Sequence, residues 1–400
     1  MKIARYAILL GGLGALGPFS IDTYFPSFGA MAAHFGVGEA DVQLTLSVYL
    51  TVLAVMTLVH GPLSDAFGRR RVIVAALALY TVTAVACALA PSFGVLLAAR
   101  ALQGLAGGAG MIVGRAIVRD LFQGARAQQL MAQMTMVVGV APAVAPVVGG
   151  YLHAAFGWRA PFFLLALFGA ALGLGTLRLL PETLPVEERQ PLRAAPLARA
   201  YGRVARDPAF QALVVSLALG FGGFLLYVAS AADFVPNVLG LGETQYAWLF
   251  VPIVVGLISG SAVASRAAER LPAITLVVLG LTVMAAGAVL NVVVNLAEVP
   301  AVPWLVLSLP VYTFGLALQA PAVTIFALDL YPHRRGLAAS IQAFVQTTVF
   351  ALIATVVVPE LFGSGPAHAG AMLLFVLGAA VAWMLFLRLR PPARERPLAT

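Results

Sequence analysis

Two charged residues lie inside long apolar runs of the 400-residue sequence: Asp22, the only acid in the apolar core of the first half, and Arg100, near the start of another run. A charge at the centre of a bilayer costs about 2.5–3.5 kcal/mol, so each is expected to face a cavity or a partner. A carboxylate there can bind and release a proton, and a permanently charged arginine can pair with it or let it go. We predict that Asp22 and Arg100 couple a process to protons. The alternative for both is a headgroup position at a helix end.

Polar and aromatic side chains in other apolar runs are candidates to line a substrate cavity. Gln103 follows Arg100 by one turn, and Arg115 lies about 22 Å further along the same helix, where it either lines a vestibule or snorkels. Asp233 is an unexpected acid with three alternative interpretations. It favours cationic substrates, it provides a second proton site, or it lies in water at a helix end. The other candidates are Tyr24, Tyr49, Tyr227, Tyr312, Phe344 and Gln346. Such a set suits apolar molecules with a few hydrogen-bonding groups, although each residue alone is more often a packing residue.

The composition explains why these side chains lie in apolar surroundings. Hydrophobic residues make up 61% of the chain and charged residues 10%, whereas soluble domains carry about 25% charged residues. Most of this chain must therefore have lipid as its solvent. The net charge of +8 comes from arginine clusters between apolar runs. Because these clusters form no basic face, nucleic acid is not an expected partner.

Apolar runs of roughly 20 residues predict twelve transmembrane helices in an all-α membrane protein. The first run resembles a signal peptide but continues too far, and we interpret it as an uncleaved span. The predicted spans are 6–28, 42–62, 72–90, 93–118, 128–152, 160–180, 208–235, 244–265, 272–294, 303–328, 336–358 and 368–389.

The distribution of positive charge predicts the orientation of these spans. With the N-terminus inside, all but three of the 24 lysine and arginine residues fall in inside segments. The exceptions are Arg159 outside, and Arg100 and Arg115 within a span. The positive-inside rule therefore predicts a multi-pass inner-membrane protein with both termini cytoplasmic.

One long polar stretch divides the spans into six and six. We predict an N-terminal bundle over 1–180, a cytoplasmic linker over 181–207 with an amphipathic helix near 196–205, a C-terminal bundle over 208–390 and a tail over 391–400. Two six-helix bundles joined by a cytoplasmic linker are typical of pseudo-symmetric transporters.

Several motifs carry a resemblance to a known family. "GPLSDAFGRRR" follows span 2, "RALQGLAGGAG" begins at Arg100, and "GVAPAVAPVVGG" lies in span 5. In these places and this order they resemble motifs of the major facilitator superfamily, although the usual Gly-Pro of span 5 is Ala145-Pro146 here. "SIDTYFPSF", "GRAIVRDLF" and "PETLP" resemble its Bcr/CflA branch of drug exporters. The resemblance implies a monomer that exchanges drugs for protons.

The resemblance also suggests roles for the motif residues. Triple arginine in the loop between spans 2 and 3 anchors it in the cytoplasm. We expect Gly61 and Gly68 to permit close packing and a tight turn, Asp65 to cap span 11, and Arg69 to pair with Asp120. This latch, which includes Arg70, is predicted to form when the protein opens outward and to break when it opens inward. Pro142, Pro146, Gly149 and Gly150 mark an antiporter helix that bends or packs tightly between the two halves.

The sequence therefore predicts proton-coupled export of small, largely apolar drugs such as chloramphenicol-like or bicyclomycin-like compounds. The alternatives are an exporter of an endogenous metabolite, a nutrient symporter, and a membrane receptor without transport. No phosphate-binding loop, metal-ligand cluster or nucleophile–base spacing is found, so neither a cofactor, a metal nor an enzymatic activity is expected.

Overall fold

The computed structural model describes residues 2–190, 192, 194–297 and 301–389. Within these ranges twelve helices are long and apolar enough to cross a membrane, and no β-strand is found. This confirms the predicted all-α fold with twelve spans. Numbered in chain order, spans 1 to 12 are Arg5–Phe35, Glu39–Phe67, Arg69–Ala88, Phe93–Leu121, Gln129–Phe156, Ala160–Leu179, Pro208–Val238, Ala247–Ala267, Ala273–Leu296, Val302–Asp329, Arg335–Leu361 and Gly365–Leu389.

Two spans of the first half are interrupted, which the apolar pattern did not predict. Span 1 consists of a helix that ends at Asp22, a 3₁₀ turn over Phe25–Ser27 and a second helix over Phe28–Phe35. Span 4 is divided at Gly108. Span 2, by contrast, continues past its predicted end at Pro62 as far as Phe67. One proline removes a single backbone hydrogen bond, which a helix can tolerate in a packed bundle.

Small residues allow close helix packing within each half, meaning spans 1–6 and spans 7–12. A Cβ atom built on Gly280 of span 9 would lie 2.7 Å from the backbone oxygen of Gly315 on span 10. A Cβ atom on Gly169 of span 6 would lie 2.7 Å from the ring of Tyr80 on span 3. Backbones that approach so closely maximise van der Waals contact, which drives helix association in lipid.

The polar stretch 181–207 contains a helix over Ala194–Ala205, the linker helix, which confirms the predicted amphipathic helix. It packs against spans 7 and 11, and its Val204 is fully buried. The division into domains at 180 and 207 stays a prediction, and the tail 391–400 lies outside the described residues.

Candidate functional site

Arg100 is fully buried inside the first half and is held by neutral groups. Its guanidinium donates to the backbone oxygens of Ser20 at 3.1 Å and Thr45 at 3.4 Å, and to Gln103 Oε1 at 2.6 Å. Arg100 and Asp22 form no ion pair among the described residues in this conformation, and their pairing and release during transport stays a prediction. Carbonyl and amide oxygens occupy the donors that a carboxylate would need.

Two tyrosine rings complete the surroundings of this guanidinium. The Arg100 Cζ atom lies 4.5 Å from the ring centroids of both Tyr24 and Tyr49. Arg100 also donates to the Tyr24 hydroxyl at 3.2 Å, and that hydroxyl lies 3.1 Å from Thr45 Oγ1. Cation–π contacts strengthen when the charge is desolvated, so the rings stabilise a cation that has no acidic partner among the described residues. The structure thus brings Tyr24, Tyr49 and Gln103 together around Arg100.

Asp22 lies where the first helix of span 1 ends, and it is 2% exposed. Its Oδ1 atom has no hydrogen-bond partner in the part of the chain that the structure describes. Arg100 binds Ser20 and Tyr24, which flank Asp22 on either side in the chain. Arg100 therefore holds the Ser20 backbone and the Tyr24 side chain on either side of Asp22 without forming an ion pair with it.

Most of the predicted cavity residues of the second half are packed inside it. The hydroxyl of Tyr312 donates to the Gly220 backbone oxygen at 3.0 Å, and that of Tyr227 accepts from Asn291. Both tyrosines are fully buried, whereas Phe344 and Gln346 on span 11 are half-buried. Contact of these four residues with a substrate stays a prediction.

Asp233 is neither in water nor free to meet a ligand in this conformation. It is 3% exposed. Its Oδ1 accepts from Asn237 Nδ2 and its Oδ2 from the backbone N–H of Gly363, both at 2.8 Å. The carboxylate thereby ties the end of span 7 to the loop before span 12. The suggestion that it lies in water at a helix end is wrong.

A cavity of about 640 Å³ lies between the halves at the end of the bundle that carries the linker, which we call the linker side. Spans 2, 4 and 11 and the linker helix contribute to its wall. Its charged lining residues are Asp65, Arg69, Arg115, Arg119 and Arg335. Arg115 therefore lines the vestibule, as one of the two sequence interpretations proposed.

Residues 61–71, the end of span 2, Gly68 and the start of span 3, are called here the loop between spans 2 and 3, and they are organised around Arg69. Its guanidinium pairs with Asp65 and donates to Asp120 Oδ2 at 3.2 Å, so the expected contact with span 4 is present. The predicted breaking of this contact when the protein opens inward is not seen, since the contact is formed beside the linker-side cavity. Asp65 faces the cavity with a side chain 44% exposed and, among the described contacts, does not cap span 11. Arg70 donates to the backbone oxygen of Leu177 on span 6 at 2.6 Å.

The two glycines of this loop differ in their surroundings. Gly68 adopts a φ of +97°, which L side chains rarely adopt, and so forms the predicted turn. A Cβ atom built on Gly61 would meet no described atom within 4 Å. The expectation of close packing at Gly61 is therefore wrong, because this residue faces the cavity.

The segment after span 6 binds the same loop, a contact that the sequence did not predict. Glu182 Oε1 accepts from the backbone N–H of Arg69 at 2.8 Å, and the Thr183 hydroxyl donates to Asp120 Oδ2 at 2.9 Å. The backbone N–H of Gln190 donates to the Asp65 backbone oxygen at 3.2 Å. The only indication of these contacts in the sequence was the acid and the threonine of "PETLP", which directly follow a span.

On the opposite end of the bundle, the far side, the two halves touch. Gln43 of span 2 donates to the backbone oxygen of Ala229 on span 7 at 3.0 Å. His153 Nε2 on span 5 lies 3.2 Å from Glu243 Oε1, which precedes span 8. With a cavity at one end and contacts at the other, the described halves are closed on the far side.

Span 5 uses its paired glycines for these contacts. It runs as one helix over Gly124–Phe156 through both Pro142 and Pro146. A Cβ atom built on Gly149 would overlap the Thr23 backbone oxygen, and one built on Gly150 would overlap the Glu243 backbone oxygen. Span 5 is thus wedged between span 1 and the second half; its role in antiport stays a prediction.

Comparison with known proteins agrees with this architecture. Residues 10–355 match the family described as Major Facilitator Superfamily. An uncharacterized MFS-type transporter of Bacillus subtilis, YdgK, is 31% identical over 354 residues, which cover 88% of each chain. The bicyclomycin resistance protein homolog of Haemophilus influenzae is 27% identical over 376 residues, 94% of this chain and 93% of the relative.

Among solved structures, a bacterial homologue of the human lysosomal transporter Spinster, in an inward-facing and unoccupied conformation, has a TM-score of 0.71 at 16% identity and covers 97% of each chain. This likeness concerns the fold. The family match over residues 10–355 shows that the chain belongs to the Major Facilitator Superfamily, as the motifs predicted. The protein is a multi-pass membrane protein with the fold of that superfamily's transporters.

Proposed function

We propose that the protein exports small, largely apolar drugs across the bacterial inner membrane in exchange for protons. The two halves rock around a central site, so that it faces one side of the membrane at a time. Family membership and the resistance name of a relative support this proposal. The observation that carries it is Asp22, a buried carboxyl group without a described partner in a membrane-spanning segment.

The orientation follows from the arginine bias, which assigns the linker side and both termini to the cytoplasm. The cavity of about 640 Å³ then opens towards the cytoplasm and receives the drug. The far-side contact between His153 and Glu243 closes the periplasmic end. The drug leaves once this end opens and the cytoplasmic end closes.

The proton step takes place at Asp22. A buried carboxyl group without a partner loses less solvation free energy when it carries a proton than when it is charged. Exposure to water reverses this preference and releases the proton. Arg100 acts as a positioning residue, because it holds Ser20 and Tyr24 on either side of the carboxyl group.

The membrane potential is sufficient to drive this exchange. One positive charge that crosses 100 mV releases about 2.3 kcal/mol. At one proton per neutral drug, this free energy sustains a drug gradient of about 50-fold. Adding a pH gradient raises the limit further.

The test is drug transport in proteoliposomes with an imposed pH gradient, comparing the wild type with Asp22→Asn. We expect the variant to bind drug and to exchange it between the two sides, but to lose pH-driven accumulation. Asp233→Asn is the matched control, since that buried acid already has partners on both oxygens. Full pH-driven accumulation by Asp22→Asn would refute the proton role, and drug movement along with the protons would point to a symporter.

A further inference from the structure

A proline in span 2 leaves one backbone carbonyl without its usual partner. In an α-helix the carbonyl of residue 58 accepts from the amide of residue 62. Residue 62 is Pro62, which has no amide hydrogen, and the helix nevertheless continues to Phe67. The carbonyl of Leu58 is therefore free to accept a hydrogen bond from outside span 2.

The linker helix supplies the donor. The hydroxyl of Tyr201 donates to the Leu58 backbone oxygen at 3.0 Å. Burial raises the pKa of Tyr201; the Ser340 side chain opposes this shift and the Asp65 carboxylate adds to it. The phenol therefore keeps its proton at neutral pH, as a donor must.

This hydrogen bond crosses between the two halves. The linker helix packs against spans 7 and 11 of the second half, whereas Leu58 belongs to the first half. Tyr201 also lines the linker-side cavity, together with Asp65 of span 2 and Ser340 of span 11. The bond consequently joins the linker helix to span 2 at the wall of the linker-side cavity.

We propose that Tyr201 is a positioning residue that latches the linker helix onto the proline break of span 2 and so holds the mouth of the linker-side cavity narrow. When the halves separate further on this side, the Tyr201 hydroxyl leaves the Leu58 carbonyl and the mouth of the cavity widens. Span 2 keeps Pro62 because the missing amide creates the docking point. The linker is then a moving part of the gate and not only a tether.

The experiment measures access to the cavity in inside-out vesicles with a membrane-impermeant maleimide. Cys87, the single cysteine, is replaced by serine, and Ala339→Cys on the cavity wall serves as the reporter. Loss of a hydrogen bond worth about 1 kcal/mol predicts that Tyr201→Phe raises the labelling rate about fivefold.

Pro62→Ala provides the decisive comparison. This substitution restores the amide that satisfies Leu58 within the helix, so Pro62→Ala alone should raise the labelling rate. Adding Tyr201→Phe to Pro62→Ala should then change the labelling rate by less than about twofold. In the Pro62→Ala variant the amide of residue 62 has already replaced the Tyr201 hydroxyl as the donor to Leu58. Tyr151→Phe is the control, since Tyr151 is 62% exposed on span 5.

An unchanged labelling rate in Tyr201→Phe would overturn the proposal. So would an equal increase from Tyr201→Phe with and without Pro62→Ala, since the hydroxyl would then act somewhere other than at Leu58. The latch between Tyr201 and Leu58 rests on the alternating access of the proposed function. Labelling of the cavity, however, requires neither drug nor a proton gradient. A chain that exports no drug can therefore still show the latch, and the two failures are distinguishable.

Discussion

Arg100 shows how far the type of a residue predicts its role. Its buried position was predictable, because a charge within an apolar run must face the protein interior. Its partners were not, because Ser20 and Thr45 bind it through backbone oxygens that any residue would offer. Asp22 was likewise found from its charge, while its lack of a described partner depends on how the helix of span 1 ends.

Replacing Arg100 by lysine should therefore disable the protein even though the charge is kept. An ammonium group cannot reach Ser20, Thr45 and Gln103 from one position as the guanidinium does. Loss of two such charged hydrogen bonds should lower the free energy of unfolding by about 3 kcal/mol. Thermal unfolding of the purified protein measures this, with Arg178→Lys, an exposed site on span 6, as the control. Equal stability of the two variants would contradict the described geometry.

At the scale of elements, hydropathy predicted the number and order of the spans because a chain that crosses lipid needs long apolar segments with satisfied backbone hydrogen bonds. The interruptions were missed because they depend on local backbone geometry. Gly108 divides span 4, whereas Pro62 leaves span 2 intact. The contacts of Glu182 were also missed, since nothing in the linker composition shows that its first residues bind the loop between spans 2 and 3.

The two glycines of that loop give a matched pair of substitutions. Gly68→Ala places a side chain at a φ of +97° and 2.5 Å from Glu182 Oε2, so it should destabilise the loop and slow transport. This positive-φ backbone conformation alone costs a residue with a side chain about 1–3 kcal/mol. Gly61→Ala meets no described atom within 4 Å and should leave transport close to the wild type. Transport rates at equal expression test the pair, and equal effects of the two variants would contradict it.

At the scale of the whole molecule, the two halves meet on the far side and separate around a cavity on the linker side. The sequence predicted two bundles and a linker, and it gave the vestibule as one of two alternative positions for Arg115. It did not predict which end is closed, because both conformations use the same residues. That difference depends on contacts between halves, such as Gly150 against Glu243.

Gly150→Ala should shift the molecule away from this conformation. The added methyl group would overlap the Glu243 backbone oxygen and should push the far sides of the two halves apart. Since the cavity closes as the far side opens, labelling of Ala339→Cys should slow. Gly139→Ala on the same span meets no described atom within 4 Å and is the control. Faster labelling in Gly150→Ala would disprove this coupling of the two ends.

The charge around the cavity predicts a preference among ligands of similar shape. Four arginines and one acid line it among the described residues. Fluorescein, an anion, should therefore bind more tightly than rhodamine 123, a cation with the same ring system, as measured by fluorescence anisotropy. Arg115→Gln should weaken fluorescein binding about twentyfold, since a charge about 10 Å away contributes about 1.7 kcal/mol at an effective dielectric constant of about 20. Tighter binding of rhodamine 123 would contradict the prediction.

The hydrogen bonds of Glu182, Thr183 and Gln190 determine where the chain can be divided. Two separately expressed fragments should assemble into a working protein when the break follows Gln190. The first fragment then contains residues 181–190 and keeps their hydrogen bonds to the loop between spans 2 and 3. A break before Pro181 would place Glu182, Thr183 and Gln190 on the second fragment. These residues would then have to reach the loop between spans 2 and 3 by diffusion. Residues 181–190 thus follow the last span of the first half in sequence and belong to that half in assembly.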